Sequence, residues 1–338
     1  MQPIDLTNKS VFITGGTGSF GTQFVKHILR EYKPRRVVVF SRDEQKHFDM
    51  QQDPELRNRS ELRYFIGDVR DRQRLELAMH DIDIVVHAAA MKHVPLAEYN
   101  PFECIHTNVL GAENIVYAAL HNRVQKVIAL STDKACNPVN LYGASKLASD
   151  KIFTSANNLS GSFGTRFAVV RYGNVVGSRG SVIPFFAKLL REGATKLPIT
   201  DPRMTRFWIT LDQGVDFVLS SLQMMRGGEI FVPKIPSMRM TDLAATMAPD
   251  LPTEVIGIRP GEKLHESMIA EDDSRLTVDM GDRYVIEPAY HWWNRETYAA
   301  DGAKPVAEGF SYSSDINEDW LSGDQLKAMI GPWLEKAQ

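Results

Sequence analysis

The chain has 338 residues, with 39 Lys and Arg against 42 Asp and Glu and a formal charge of −3. That balance leaves no positive field to condense on nucleic acid or an acidic membrane. At 43% hydrophobic and 24% charged residues, disordered, collagen-like and coiled-coil chains are excluded.

The two cysteines, Cys104 and Cys136, form no CxxC pair, so neither a disulfide framework nor a metal site is expected, and a reducing cytoplasmic setting fits. No run reaches the roughly 18 apolar residues that span a bilayer, and Met1–Lys9 lacks the layout of a signal peptide. The expectation is a soluble protein with no membrane and no nucleic-acid partner.

In chain order, the pattern predicts strands at 10–14, 36–40, 64–67, 82–87, 126–131 and 167–172. Helices are predicted at 23–31, 72–79, 101–121 and 141–156. Near-continuous apolar strands alternating with helices require a parallel sheet covered on both faces, which predicts an α/β, doubly wound Rossmann fold. Past Val176 the rhythm loosens, with helices predicted at 182–191 and 212–225, a strand at 229–232, and frequent Pro and Gly around 233–236 and 259–261. The expected organisation is a dinucleotide-binding unit, 1–176 plus about 207–232, and a smaller, discontinuous C-terminal substrate unit, 177–206 and 233–338. The tail after Asp282, rich in Tyr and Trp, carries no readable pattern.

Gly15, Gly18 and Gly21 follow the first strand with G-x-x-G-x-x-G spacing and open a helix. Missing side chains there let backbone approach a pyrophosphate lying on the helix N-terminus, so Gly15, Thr17, Gly18, Ser19, Phe20 and Gly21 are read as cofactor-binding. After the second strand, Ser41 and Arg42 suit a ribose 2′-phosphate and favour NADP, with Lys46 joining the set, while Asp43 keeps NAD open. Asp68, beside Val69, either accepts from the adenine amino group or caps the helix predicted at 72. The small Ala88, Ala89 and Ala90 end the fourth strand and let a cofactor lie close.

Tyr142 and Lys146 stand four residues apart, on one face of a helix. A lysine charge lowers a phenol's pKa, and the same lysine can hold a nicotinamide ribose, so Tyr142 can take a hydroxyl proton as a hydride leaves. Behind a fifth strand and a dinucleotide turn, this pair resembles the short-chain dehydrogenase/reductase superfamily, in its extended, nucleotide-sugar-modifying branch. Between strand and tyrosine, Thr132 is the hydroxyl that an epimerase or reductase needs. Asp133 and Lys134 add an acid and a base, as elimination of water requires. Read locally, that pair equally fits a solvated loop.

The segments 87–95 (HAAAMKHVP), 131–135 (STDKA), 142–146 (YGASK), 171–181 (RYGNVVGSRGS) and 259–266 (RPGEKLHE) together resemble the soluble, configuration-inverting UDP-N-acetylglucosamine 4,6-dehydratases. Members of that family make the first intermediate of pseudaminic acid, a sugar of flagellins and other surface glycans. The resemblance implies Lys134 as the C5 base, Asp133 as the acid for the leaving C6 hydroxyl and Tyr142 as the C4 base. It also implies a tightly held NADP regenerated within each turnover, and a homo-oligomer built from dimers, up to a hexamer. A lysine of ordinary pKa near 10.4 cannot abstract a proton at neutral pH, so burial beside Lys146 and an oxidised nicotinamide is expected to lower Lys134; a Lys134 that stays protonated would only stabilise the developing enolate, and the C5 base would lie elsewhere.

A UDP-sugar carries a diphosphate, so cationic clamps are expected, with Lys188, Arg206 and Arg259 as candidates; each alone also reads as a surface cation. Asn174, Arg179 and Glu262 are read as substrate contacts, and Lys92 and Asn108 as contacts to cofactor or substrate. His93 and His265 lack partners at metal spacing and are read as structural, and Cys136 as a packing residue. The rivals are a retaining dehydratase or 4-epimerase on a UDP-sugar and, outside catalysis, an NADP-sensing binding protein.

Overall fold

Six strands rich in Val, Ile and Phe form the first half of the chain: β1 (Ser10–Thr14), β2 (Arg36–Ser41), β3 (Leu62–Ile66), β4 (Ile84–His87), β5 (Lys126–Thr132) and β6 (Arg166–Tyr172). The computed structural model describes residues 3–290, 293 and 296–335; the expected units 1–176 and 233–338 also include residues outside that set. All six pair in parallel in the order β3-β2-β1-β4-β5-β6, the doubly wound order. β1 and β4 are buried along their whole length, because helices cover both faces and leave no place for polar alternation.

The chain returns to this sheet late. Ile230–Pro233 adds a further parallel strand beside β6, as the reading of 207–232 allowed. Thr277–Asp279, Arg283–Ile286 and Lys304–Pro305 then extend the same edge antiparallel. These three strands correct the assignment of 233–338 to a separate unit: they are two to four residues long, too short for a periodic signal, and they gain their place by pairing with an existing edge.

Two further differences concern helices. Glu44–Gln52, polar over most of its surface, is a helix capped by Asp43, which accepts from the Lys46 amide. The span 101–121 is not one α-helix: Pro101–Ile105 and Gly111–His121 flank a π-turn at His106–Leu110, which inserts extra backbone and turns Asn108 inward.

A second, smaller core gathers Ile183, Phe186, Leu197, Trp208, Met238, Leu243 and Ile330, where the helices Val182–Arg191, Met240–Met247 and Gly323–Glu335 pack together. It is tied to the sheet by Asn174–Val175, just past β6, which pairs with Trp208–Ile209. The site lies between this core and the carboxyl ends of the parallel strands.

The helix Leu141–Ser155 presses onto the turn Asp133–Ala135 at Gly143, where a Cβ would stand 2.2 Å from the Lys134 carbonyl oxygen. Backbone oxygen cannot yield as a flexible side chain can, so Gly143→Ala must push the helix off the turn. The expected cost is about 1–3 kcal/mol of stability, read from urea unfolding; an unchanged midpoint would show that the contact is not needed.

Candidate active site

At the carboxyl end of β1 the chain turns through Gly15, whose φ of +64° and 2.9 Å approach of a hypothetical Cβ to the Ala89 amide exclude a side chain. Thr14 Oγ1 accepts from the Ala88 and Ala89 amides and bonds His87 Nδ1 at 2.8 Å, tying the ends of β1 and β4 together. Burial, with the Lys146 charge, lowers His87 to about 3, so this ring stays neutral. The helix α1 (Ser19–Glu31) starts from Gly18 with no side-chain cap, leaving its first amides to an incoming anion.

This turn forms one end of a cavity of about 1260 Å³. Gly15, Thr17, Gly18, Ser19, Phe20, Gly21, Ser41, Arg42, Asp43, Lys46, Val69, Ala88, Ala89, Ala90 and Lys92 line that region. Ser41 Oγ bonds Thr17 Oγ1 at 2.8 Å. Asp43 is occupied twice, by capping its own helix and by pairing with Lys46 Nζ at 3.0 Å. Asp68 does not reach the cavity; it binds Arg70 at 2.6 Å and lies 3.5 Å from Arg42. Nor does it cap the following helix, because Asp71, three residues nearer the helix interior, accepts from the Arg74 amide instead.

Farther along the wall, β5 and β6 end in register, Thr132 beside Tyr172, and Leu141–Ser155 brings Tyr142 and Lys146 against them. Asn140 caps that helix through the Gly143 amide and donates to the Gly261 carbonyl at 2.7 Å, so the helix is also clasped by the 259–262 segment. Thr132, Lys134, Tyr142 and Lys146 line the cavity. Asp133 is fully buried one layer behind: its Oδ1 accepts from the Thr132 hydroxyl at 2.9 Å and from Lys134 Nζ at 3.1 Å, while Oδ2 has no hydrogen-bond partner.

The electrostatics correct two expectations. Burial raises the Tyr142 phenol to about 12, and the opposing influences are Lys134 and a hydrogen bond to Thr132; Lys146, itself lowered by burial, is not among them. Burial also favours loss of the Lys134 proton, but Asp133 and Glu266 outweigh it and hold the ammonium above its ordinary range. The expected lowering of Lys134 overlooked Glu266, whose Oε1 lies 3.1 Å from Nζ. Glu266 stood inside a recognised segment, yet nothing local in sequence tied it to Lys134.

Toward the second core, Asn174, Arg179, Arg206, Arg259 and Glu262 reach the cavity, and Lys92 Nζ donates to the Arg179 carbonyl at 2.8 Å. Arg206 is buried and its guanidinium binds the carbonyls of Thr205, Lys263 and Leu264, which limits it as a phosphate clamp. Arg259 is half exposed. Besides Asp68 and Asp133, two further candidates fall outside the cavity. Lys188 points to solvent and pairs with Glu192 at 3.7 Å, one helical turn along. Asn108 is buried, receives the Met91 amide, and donates to the Met91 carbonyl and Ser145 Oγ, fixing the loop after β4 to the catalytic helix. Unanticipated wall residues are Pro184, Phe185, Ile199, Met204, Met240 and Ile256, apolar positions with no motif to mark them.

Cys136 is buried, with its thiol raised to about 11 by burial, and His265 bonds Thr205, consistent with packing roles. Among the described residues no cluster suited to a metal ion occurs, and no helix is long and apolar enough to cross a membrane.

A family profile described as "Polysaccharide biosynthesis protein" matches residues 11–288. A UDP-N-acetylglucosamine 4,6-dehydratase (inverting) from Campylobacter jejuni is 58% identical over 327 residues, covering 95% of this chain and 97% of that one. A UDP-glucose 4-epimerase from Rickettsia typhi is 42% identical over 332 residues, covering 96% and 95%. Among solved structures, Pen from Bacillus thuringiensis superposes with a TM-score of 0.88 at 37% identity, covering 97% of this chain and 99% of that one. With the sheet order and the site just described, these likenesses establish that the chain belongs to the polysaccharide biosynthesis protein family, on an extended short-chain dehydrogenase/reductase fold and akin to the inverting UDP-N-acetylglucosamine 4,6-dehydratases.

Proposed function

We propose that this protein is an NADP-dependent lyase that removes water from UDP-N-acetylglucosamine across C5 and C6 and inverts C5. The product is UDP-2-acetamido-2,6-dideoxy-β-L-arabino-hexos-4-ulose, the first step toward pseudaminic acid. The observation that carries the reading is Lys134 beside Tyr142 on one cavity wall, paired with the buried Asp133 behind it, in a cavity that also holds a glycine turn suited to a pyrophosphate. An epimerase has use for Tyr142 and Thr132 but none for a charged pair behind them.

The residues at the turn suit a dinucleotide: Gly15 admits close backbone approach, α1 offers uncapped amides, and Arg42 and Lys46 flank Ser41 where a 2′-phosphate would lie. Asp43, engaged by Lys46 and its own helix, is poorly placed to accept from a ribose hydroxyl, which favours NADP over NAD. When bound, the nicotinamide supplies a hydride acceptor at C4 and a donor at C6. Lys146 holds the ribose, and Tyr142 takes the C4 hydroxyl proton. Lys134, resting as an ammonium, first gives up its own proton to solvent, and the neutral amine then takes the C5 proton. Asp133, a carboxylate at rest, receives that proton from Lys134 Nζ. Once Nζ withdraws from Oδ1 and opens that oxygen to the cavity, Asp133 passes the proton to the C6 hydroxyl, which leaves as water. A solvent-derived proton then enters C5 from the opposite face, which is the inversion. Lys92, Asn174, Arg179, Arg259 and Glu262 hold the nucleotide-sugar.

We further read the protein as cytoplasmic and as a homo-oligomer. In support of assembly, Leu96, Tyr99 and Phe102 are exposed on the consecutive helices Val94–Tyr99 and Pro101–Ile105, a patch that a monomer rarely leaves open.

Three measurements test the reading. Incubation with UDP-N-acetylglucosamine in deuterated water, without added reductant, is expected to give a C6 methyl signal with deuterium at C5 and L-arabino couplings by NMR. Retained C5 configuration would make it a retaining dehydratase, and no methyl would favour an epimerase. Lys134→Ala is expected to lower kcat by about a thousandfold or more while dinucleotide binding persists; full dehydration by that variant removes Lys134 from the mechanism. Arg42→Ala is expected to weaken NADP by about tenfold or more with NAD little changed, measured by calorimetry, and equal losses would overturn the 2′-phosphate assignment.

A further inference from the structure

Glu266 is only 2% exposed, and no role above uses it except as a neighbour of Lys134. Its backbone is held on both sides: the amide donates to Ser314 Oγ at 3.0 Å, and the carbonyl accepts from the Ser314 amide at 2.8 Å. Its Oε1 lies 3.1 Å from Lys134 Nζ, the same distance that separates Nζ from Asp133 Oδ1. Arg206 Nε at 3.8 Å and Lys263 Nζ at 3.9 Å flank the carboxylate, and Lys263 also donates to the Cys136 carbonyl at 2.5 Å, two residues past Lys134. Oε2 is buried without a hydrogen-bond partner, and the side chain borders the cavity. A carboxylate buried at such expense, with two cations already beside it, is not needed to neutralise Lys134, because Asp133 does that from the adjacent position.

We propose that Glu266 is a positioning residue for Lys134, fixing its amine at the cavity wall and governing when that amine can carry away a proton. The inference rests on the reading of Lys134 as the C5 base. The charged and titratable groups facing Lys134 are Asp133, Glu266, Arg206 and Tyr142; those facing Glu266 are Lys134, Arg206 and Lys263. Two negative charges within ion-pair reach favour the ammonium, and the second of them comes from a segment that also lines the cavity. Removing the Glu266 charge while keeping its shape therefore frees the amine to lose its proton at lower pH, and loosens its position.

The test compares the full-length protein with Glu266→Gln and Glu266→Asp, following formation of the methyl-bearing product from UDP-N-acetylglucosamine between pH 6 and 10. Because Lys134 is held above its ordinary range, this window lies on the rising limb, where Glu266→Gln is expected to raise kcat/KM by about tenfold at a given pH, equivalent to moving the limb down by about one pH unit, with KM within about twofold. Glu266→Asp is expected to restore the limb. A Gln variant with an unmoved limb, or with a change in KM alone, would mark Glu266 as merely structural. A separate readout is the titration of Lys134 by NMR of lysine labelled with ¹⁵N at Nζ, assigned through Lys134→Arg. Titration at higher pH than the exposed lysines is expected in the unsubstituted protein, and titration at or below them overturns the inference even if the Gln variant does not fold. If the unsubstituted protein makes no methyl product, the dehydratase reading fails, and the shift of this titration between the unsubstituted protein and Glu266→Gln decides whether Glu266 controls the Lys134 charge.

Discussion

Everything at the site depends on the parallel pairing of β1, β4 and β5. Parallel strands joined by helical crossovers must all end on the same edge, so the Gly15 turn, the Ala88–Ala90 run and the Thr132–Lys134 turn are delivered side by side although they are far apart in sequence. At β1, where the strand order reverses, the loops diverge and leave a crevice. The smaller core then needs only to close the open side. Its own stability comes from residues such as Trp208, Phe186 and Leu326, none of which has to perform chemistry.

Within this crevice the decisive physics is the burial of opposite charges in close order. Asp133, Lys134, Glu266, Arg206 and Lys263 form one cluster in which each charge is tolerable only because of its neighbours. Asp150 and Arg171 make a second, fully buried pair at 3.0 Å between the catalytic helix and β6. The second pair fixes the helix carrying Tyr142 and Lys146 to β6, with Asn140 and Asn108 adding neutral hydrogen bonds. A proton moved among such groups shifts the energy of all of them.

What could be read from the sequence follows from how local each cause is. Buried parallel strands announce themselves through runs such as Val37–Phe40, and the glycine turn and the Tyr142–Lys146 spacing are local patterns with one physical meaning in that setting. The helix Glu44–Gln52 escaped because it lies on the surface with little apolar stripe, and its capping aspartate was read as a ribose ligand. The late antiparallel strands escaped because their conformation is imposed by the edge they join. Lys188 sits at a plausible spacing but on the solvent face of its helix, a matter of rotation that the sequence alone did not settle. Lys134 stands out in the sequence beside Asp133, but its charge state is not legible there, since that depends also on a carboxylate far along the chain.

The clasp between residues 259–266 and the catalytic turn has a consequence for how the molecule comes into being on the ribosome. By the time β6 has emerged, the glycine turn, the alanine run and the catalytic helix can all be in place. Asn140 still lacks Gly261, the Cys136 carbonyl still lacks Lys263, and Lys134 has only Asp133 beside it. A nascent chain therefore passes through a stage in which the glycine turn is formed but Lys134 has only one of its two carboxylate partners, and synthesis of about ninety further residues separates the two conditions. Delaying the last contacts in this way leaves the charge cluster around Lys134 incomplete until the fold is nearly finished.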